Sequence, residues 1–393
     1  MASTRIVVVT DTFPQETFVV RHVRGLEADV VSQFWNPKGF SLLKTKPQFT
    51  SLFDVKKRKL TTRIFFRAKE LAFGVQASRW PRAMEHVWKH YIITRNPDVV
   101  LAEFAPNGMK ILESCRRYRL PLVVHFHGYD ATSLLRFKRY VNKLPDLFAQ
   151  AFAIVGVSNI MREVLIELGC PQEKISIIPC GAPINKFSIS DRVSAPHCRF
   201  IFVGRLIQVK GPLLLLRAFK RCAELNSDIS LCMIGGGPLY KKVFRFIRKH
   251  RLENKVVLLG QIPVDRVQAE MAKSSVLVQP SILTRIGHLE AGGPPVSVAE
   301  GAASGLPCIA FKTGGIPDFI KDGINGYLVT EGDWEALADR MAQLAKNPEI
   351  RKQMGEENRR AAELNANTSI QIEKLKRLLL NAVKTKGKSK ELG

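Results

Sequence analysis

Short apolar runs of strand length recur along the chain, each closed by glycine, proline or polar residues. The first is Ile6 to Thr10, ending at Asp11. Asp29 to Phe34, Pro97 to Ala102, Leu120 to His125, Ala151 to Gly156 and Lys174 to Pro179 follow. Continuous rather than alternating apolar runs predict strands covered on both faces, as in a parallel sheet flanked by helices. Between them apolar residues return at helical spacing, as at Phe18, Val19, Val23 and Leu26. Residues 188–197 are polar and aperiodic and predict a domain boundary. A second series then starts, with Phe200 to Val203, Ser230 to Ile234, Lys255 to Leu259, Ser275 to Pro280 and Gly326 to Val329. Strands alternating with helices predict an α/β fold with a parallel sheet in each half. From Trp334 the pattern is helical, ending in a basic tail, Lys384 to Lys390, expected to be disordered.

In open α/β sheets ligands sit at the carboxyl ends of strands, so chemistry is sought there. His127 follows the run ending at His125 and precedes Gly128 and Asp130. After Val203 come Gly204, Arg205 and Lys210; after Ile234 come Gly235, Gly236 and Gly237. Two cations over glycine-rich strand ends suit a diphosphate. The densest stretch begins at Pro280. Gly292, Gly293, Pro294 and Pro295 form an open loop, Val296 to Ser304 a small-residue helix, and Leu306-Pro307 its stop. The amides that open such a helix favour an anion. Glu300 lies about one turn in, where a carboxylate suits sugar hydroxyls better than phosphate.

Composition adds one unusual feature. Of 393 residues, 60 are Lys or Arg and 35 Asp or Glu, a net charge of +25. Such an excess points to a polyanionic partner, nucleic acid or an anionic membrane surface. Segment 56–89, within an aberrant stretch of about residues 50–95, interleaves Lys56 to Lys59, Arg63, Arg67, Arg79 and Arg82 with Phe65, Phe66, Trp80 and Trp88. This suits a helix pair on anionic headgroups, a nucleic-acid surface or a solvated basic face. Seven scattered cysteines without metal spacing read as reduced thiols of a cytoplasmic protein. No window holds the ~18 uninterrupted apolar residues of a membrane span, and Asp11 and Pro14 break the first run short of a signal peptide.

The motifs taken together resemble the family 4 retaining glycosyltransferases, in the branch that builds colanic-acid-like exopolysaccharides. They are Phe13 to Phe18, Phe104 to Gly108, His125 to Asp130, Val157 to Asn159, Phe202 to Leu206 with Lys210-Gly211, Gly235 to Pro238, Glu300 with Ser304 to Pro307, and Gly314 to Pro317 with Asp322, Gly323 and Gly326. The resemblance covers nearly the whole chain. It implies a GT-B fold: an acceptor-side Rossmann-like domain over residues 1–190, a nucleotide-sugar domain over 197–365 facing it across a cleft, and a C-terminal helix and basic tail over 366–393. Arg205 and Lys210 would bind the donor diphosphate and stabilise the leaving nucleotide, the role a metal plays elsewhere; neither metal nor cofactor is required. Gly204, Gly235, Gly236, Gly292, Gly293, Pro294, Val296 and Ser297 would line the donor site. Glu300 would accept hydrogen bonds from the donor, and His127 would contact the transferred sugar. Glu16, Thr17, Asn107 and Asp130 would lie on the acceptor side.

One departure stands out. The family pattern places a second Glu at position 292, which is Gly292 here; either Glu290, the nearest carboxylate, reaches the donor site in its place, or that sugar contact is lost. The expected activity is metal-independent transfer of a hexose, with retention, from a nucleotide-diphosphate sugar to a lipid-linked oligosaccharide or polysaccharide precursor. The expected setting is cytoplasmic, peripheral on the inner membrane face, docked through 56–89 and without nucleic acid. The alternatives are a catalytically degenerate GT-B binding protein, which Gly292 favours, and a GT-B nucleotide-sugar epimerase.

Overall fold

The computed structural model describes residues 4–10, 17–32, 49–51, 96–191, 193–282, 292–293 and 295–391. The chain divides into two compact units, one of Met1–Val157, Arg162–Ile178 and Ile372–Gly393, the other of Ser158–Met161 and Pro179–Gln371. The expected basic aromatic segment, 56–89, lies outside the described residues, as do Glu16, Glu290 and Pro294.

The first unit is built on a sheet of seven parallel strands. They are β1 (Ile6–Val9), β2 (Asp29–Ser32), β3 (Phe49–Ser51), β4 (Val99–Glu103), β5 (Leu122–His125), β6 (Ala153–Gly156) and β7 (Ile175–Ile177). Their spatial order is β3-β2-β1-β4-β5-β6-β7, so the winding direction reverses between β1 and β4. Every residue of β1, β4, β5 and β6 is buried, which is why these strands read as unbroken apolar runs. The Thr17–Gly25 helix covers the sheet with Val19, His22 and Val23 buried.

The C-terminal helix, Thr368–Glu391, belongs in part to this unit. Leu375, Leu379 and Ala382 join the core of β1, β2 and β4, fully buried at four- and three-residue spacing. Helix therefore runs where a disordered basic tail was expected. Anchored turns nucleate it, and each further residue then adds a hydrogen bond at little cost.

The second unit has six parallel strands, β8 (Cys198–Val203), β9 (Ile229–Ile234), β10 (Val256–Gly260), β11 (Val276–Gln279), β12 (Cys308–Phe311) and β13 (Gly326–Val329). Their order is β10-β9-β8-β11-β12-β13, the doubly wound pattern with its switch between the first and fourth strands. The unit starts at Pro179, before the polar 188–197 stretch. Ala182, Ile184, Phe187 and Val193 all pack into its core, so that stretch is part of the unit and not a free linker. Arg351 secures it: fully buried, its guanidinium donates to the carbonyls of Val193 (2.7 Å), Leu344 (2.5 Å), Ala345 (3.0 Å) and Ala195. Leu344 and Ala345 end the Trp334–Lys346 helix, whose last carbonyls favour a cation.

Candidate functional site

In the second unit all strands are parallel, so the loops after β8, β9 and β11 emerge on one edge, at the switch point. Their backbones interlock. Gly235 takes φ 141°, and a Cβ there would meet the Gly204 carbonyl oxygen at 1.9 Å. Gly204 N–H donates to Ile234 and Leu206 N–H to Gly236. Gly211, at φ 61°, lies so close to Pro280 that a Cβ would stand 2.0 Å from its carbonyl oxygen. Only glycine permits these approaches.

On this platform stand the two cations. Arg205 is exposed and Lys210 half-buried, and among the described residues neither side chain has an acid or hydrogen-bond partner. Burial, and then the Arg205 charge, push the Lys210 ammonium down to about 8. A cation crowded this way is stabilised by an arriving anion. The Val296–Ala303 helix starts at Pro295, with no side-chain cap on its first amides. Ser297 Oγ is turned away from those amides and donates to Gln279 Oε1 (3.0 Å), while Gln279 donates to Ser281 Oγ (2.9 Å). Ser297 thus offers its backbone and not its hydroxyl. Val296 is half-buried and Glu300 is buried on the same helix. Gly292 acts through its carbonyl, which accepts from Gly315 N–H (2.7 Å) and Ser158 Oγ (3.1 Å).

The switch point of the first unit holds a second cluster, and sequence reading assigned only His127 of it. Glu103 closes β4 and is fully buried. His22 Nδ1 lies 2.7 Å from its Oε1 and His127 Nε2 2.5 Å from its Oε2. His125 Nδ1 is 3.5 Å from Oε2 without an aligned hydrogen bond. Burial would raise the Glu103 carboxyl, but the His22 and His127 rings outweigh it and hold it well below the usual range. Burial, with the neighbouring His127, holds His125 well below the usual imidazole range, so that ring is neutral. An ionised carboxylate can only accept, so His22 donates from Nδ1 and His127 from Nε2. The His127 ring packs against Phe18 (4.5 Å between centroids), Phe104 (4.7 Å) and His125 (4.2 Å).

His22, Glu103 and His125 offer ligand atoms within 4.8 Å of one another, a spacing open to a metal. Two ligands of one tetrahedral zinc stand about 3.3 Å apart. The His22–Glu103 separation of 2.7 Å is that of a hydrogen bond.

Two acceptor-side expectations are corrected. Asp130 is fully buried and accepts from the amides of Ala105 (3.0 Å), His127 (2.9 Å) and Gly128 (3.1 Å). Asn107 is buried too; its amide donates to the Glu103 carbonyl (2.7 Å) and its oxygen accepts from Lys110 (3.3 Å). Both side chains are engaged with the backbone around Glu103 and His127. Thr17 is exposed at the first position of its helix. The missed groups had a signal: His22 falls on the buried stripe of Val19, Val23 and Leu26, and Glu103 ends an otherwise apolar strand. A polar group in such a place needs a partner.

Known proteins agree with this layout. Residues 16–186 match the model of Glycosyltransferase Family 4, and residues 196–361 that of Glycosyl transferases group 1. A glycosyltransferase of Methanocaldococcus jannaschii is 33% identical over 277 residues, 69% of this chain and 72% of that protein. The Escherichia coli protein named as a colanic acid biosynthesis glycosyltransferase, WcaL, is 29% identical over 252 residues, 63% of this chain. The match spans 62% of WcaL's own length. Anabaena HepE, crystallised with UDP and glucose, superposes with a TM-score of 0.74 at 17% identity, covering 96% of this chain and 100% of that one. The fold is therefore GT-B.

Proposed function

The chain belongs to the family 4 glycosyltransferases, and from that premise we propose that it moves a hexose, with retention, from a nucleotide-diphosphate sugar to a lipid-linked oligosaccharide or polysaccharide precursor. One observation carries the donor half of this reading. Arg205 and Lys210 rise from interlocked glycine loops at the switch point of the second sheet, without an acid partner among the described residues. Charge on the departing nucleotide diphosphate grows as the sugar–oxygen bond breaks. Fixed cations aimed there lower the barrier. The two side chains take the place of a metal, and the open amides of the Val296–Ala303 helix add to them. Glu300 holds donor hydroxyls and His127 the transferred sugar.

The crystallised HepE complex with UDP and glucose supports a nucleotide sugar as donor. The name of the E. coli relative and the +25 net charge support an exopolysaccharide precursor on an anionic membrane, approached from the cytoplasm. Among the described residues no helix is long and apolar enough to cross a membrane.

The test is incubation with a panel of nucleotide sugars and detection of slow nucleotide release, which needs no acceptor. Release with EDTA present supports a metal-independent transferase. A specific observation favours a second reading, a protein that binds the donor without transfer: Gly292 itself brings no carboxylate, and beyond its chain neighbours no described residue lies within 4 Å of its Cβ position. Tight nucleotide-sugar binding with no release would select that reading.

A further inference from the structure

Glu103 has no part in the chemistry described so far, yet its placement is costly. The other four positions of β4 are apolar and buried, and an apolar residue would serve the sheet as well. An isolated buried carboxylate is strongly disfavoured unless compensated. Here compensation comes from two rings, His22 from the Thr17–Gly25 helix and His127 just beyond β5. Each carboxylate oxygen receives one short bond, at 2.7 and 2.5 Å, which stops the group from rotating. His125 lies between the two donors, 5.3 Å from the His22 ring and 4.2 Å from the His127 ring.

The surrounding backbone is held for the same end. Phe104 follows Glu103 at φ 69°, a left-handed value that an aromatic residue adopts only when its surroundings impose it. Its amide is tied to the His125 carbonyl (2.8 Å). Asp130, on the far side, clamps the His127 and Gly128 amides, and Tyr140 holds the Asp130 carbonyl (2.6 Å).

We propose that Glu103 is the positioning residue for His127. Its ionised carboxylate fixes the ring plane, keeps the proton on Nε2, and so sets one hydrogen-bonding pattern for the ring to show the transferred sugar. This function for the ring rests on the glycosyltransferase reading; the state of the ring does not. No bond to substrate is made by Glu103 itself.

The experiment has an arm for each. In the full chain labelled with ¹⁵N-histidine, the His127 signals are assigned by their loss in His127→Gln. The expected state is a hydrogen-bonded, slowly exchanging Nε2 proton that Glu103→Gln abolishes. A His127 proton on Nδ1 alone, or an Nε2 proton untouched by Glu103→Gln, would overturn the proposal. Should Glu103→Gln not fold, His22→Leu removes the other donor while keeping the pair; the Nε2 proton is expected to persist, and its loss counts against the proposal. Stoichiometric zinc that displaces this proton would also overturn it, in favour of a metal centre. In the kinetic arm, Glu103→Gln is expected to lower kcat for donor turnover roughly 100-fold with little change in KM, with Glu103→Asp recovering part. An unchanged kcat would contradict it. If the wild type turns over no nucleotide sugar, the function assigned above fails while the NMR arm still decides the ring state.

Discussion

Gly235 and Gly204 meet backbone to backbone, so closely that a Cβ on the first would stand 1.9 Å from the carbonyl oxygen of the second. The contact fixes the loop after β9 on the loop that carries Arg205. Both obstacles to a side chain act at once, since φ at Gly235 is 141°. Gly235→Ala is therefore expected to destabilise the protein by about 1–3 kcal/mol and to weaken nucleoside-diphosphate binding. Urea denaturation and calorimetric titration would read the two effects. A variant with wild-type values in both would show that the loops can part freely.

Lys210 yields a sign that is easily checked. Its folded value, about 8, lies below the ordinary 10.5, because burial and Arg205 disfavour the charge. The folded chain thus binds fewer protons than the unfolded chain between those values, and stability rises with pH across that window. Lys210→Met is expected to raise Tm at pH 7, with the gain shrinking towards pH 10, while donor turnover collapses. A lower Tm at pH 7 would contradict the crowded-cation picture. In the wild type, diphosphate binding near pH 8.5 should take up a proton, seen as a buffer-dependent binding enthalpy.

Glu103 gives a slope of the same sign at lower pH, but here the ionised form is the one the fold stabilises. Its folded value is depressed well below 4.5 by His22 and His127 despite burial. The stability it contributes is complete above the unfolded value and is lost as pH falls through the folded one. Glu103→Gln is expected to cost on the order of 3 kcal/mol at pH 7. The gap to wild type should narrow below pH 4.5, as denaturation curves at several pH values would show.

Arg351 offers a test of the second unit alone. Its guanidinium serves four carbonyls, two at the end of the Trp334–Lys346 helix and two in the chain at Val193 and Ala195. Arg351→Met keeps much of the volume but leaves those oxygens without their donor. The expected loss is about 2–4 kcal/mol, and Arg351→Lys, which has no fork, should recover only part of it.

The alternation of apolar runs with helical spacing was enough to read both parallel sheets, because strands buried on two faces leave no polar positions to obscure them. The strand-end residues Arg205, Lys210, Gly235 and His127 were legible for the same reason: a parallel sheet delivers every strand end to one edge. Asp130 and Asn107 misled because a polar residue in a strand-end loop looks alike whether it faces a ligand or ties down backbone amides. Glu103 and His22 were passed over because each sits in an apolar pattern, and the two are 81 positions apart. Only the last turns of the terminal helix, Lys384 to Lys390, were read as a tail, because lysines dominate that stretch, while the anchoring of the helix through Leu375 and Leu379 depends on a sheet laid down hundreds of residues earlier.

The most direct measurement is nucleotide release from a donor sugar by the wild type, Arg205→Ala and Lys210→Ala, at saturating donor, with EDTA present. If the two cations carry the charge of the leaving diphosphate, the wild type turns over without metal and each variant loses roughly 100-fold or more in kcat. Wild-type turnover in either variant, or its abolition by EDTA in the parent, would contradict that role.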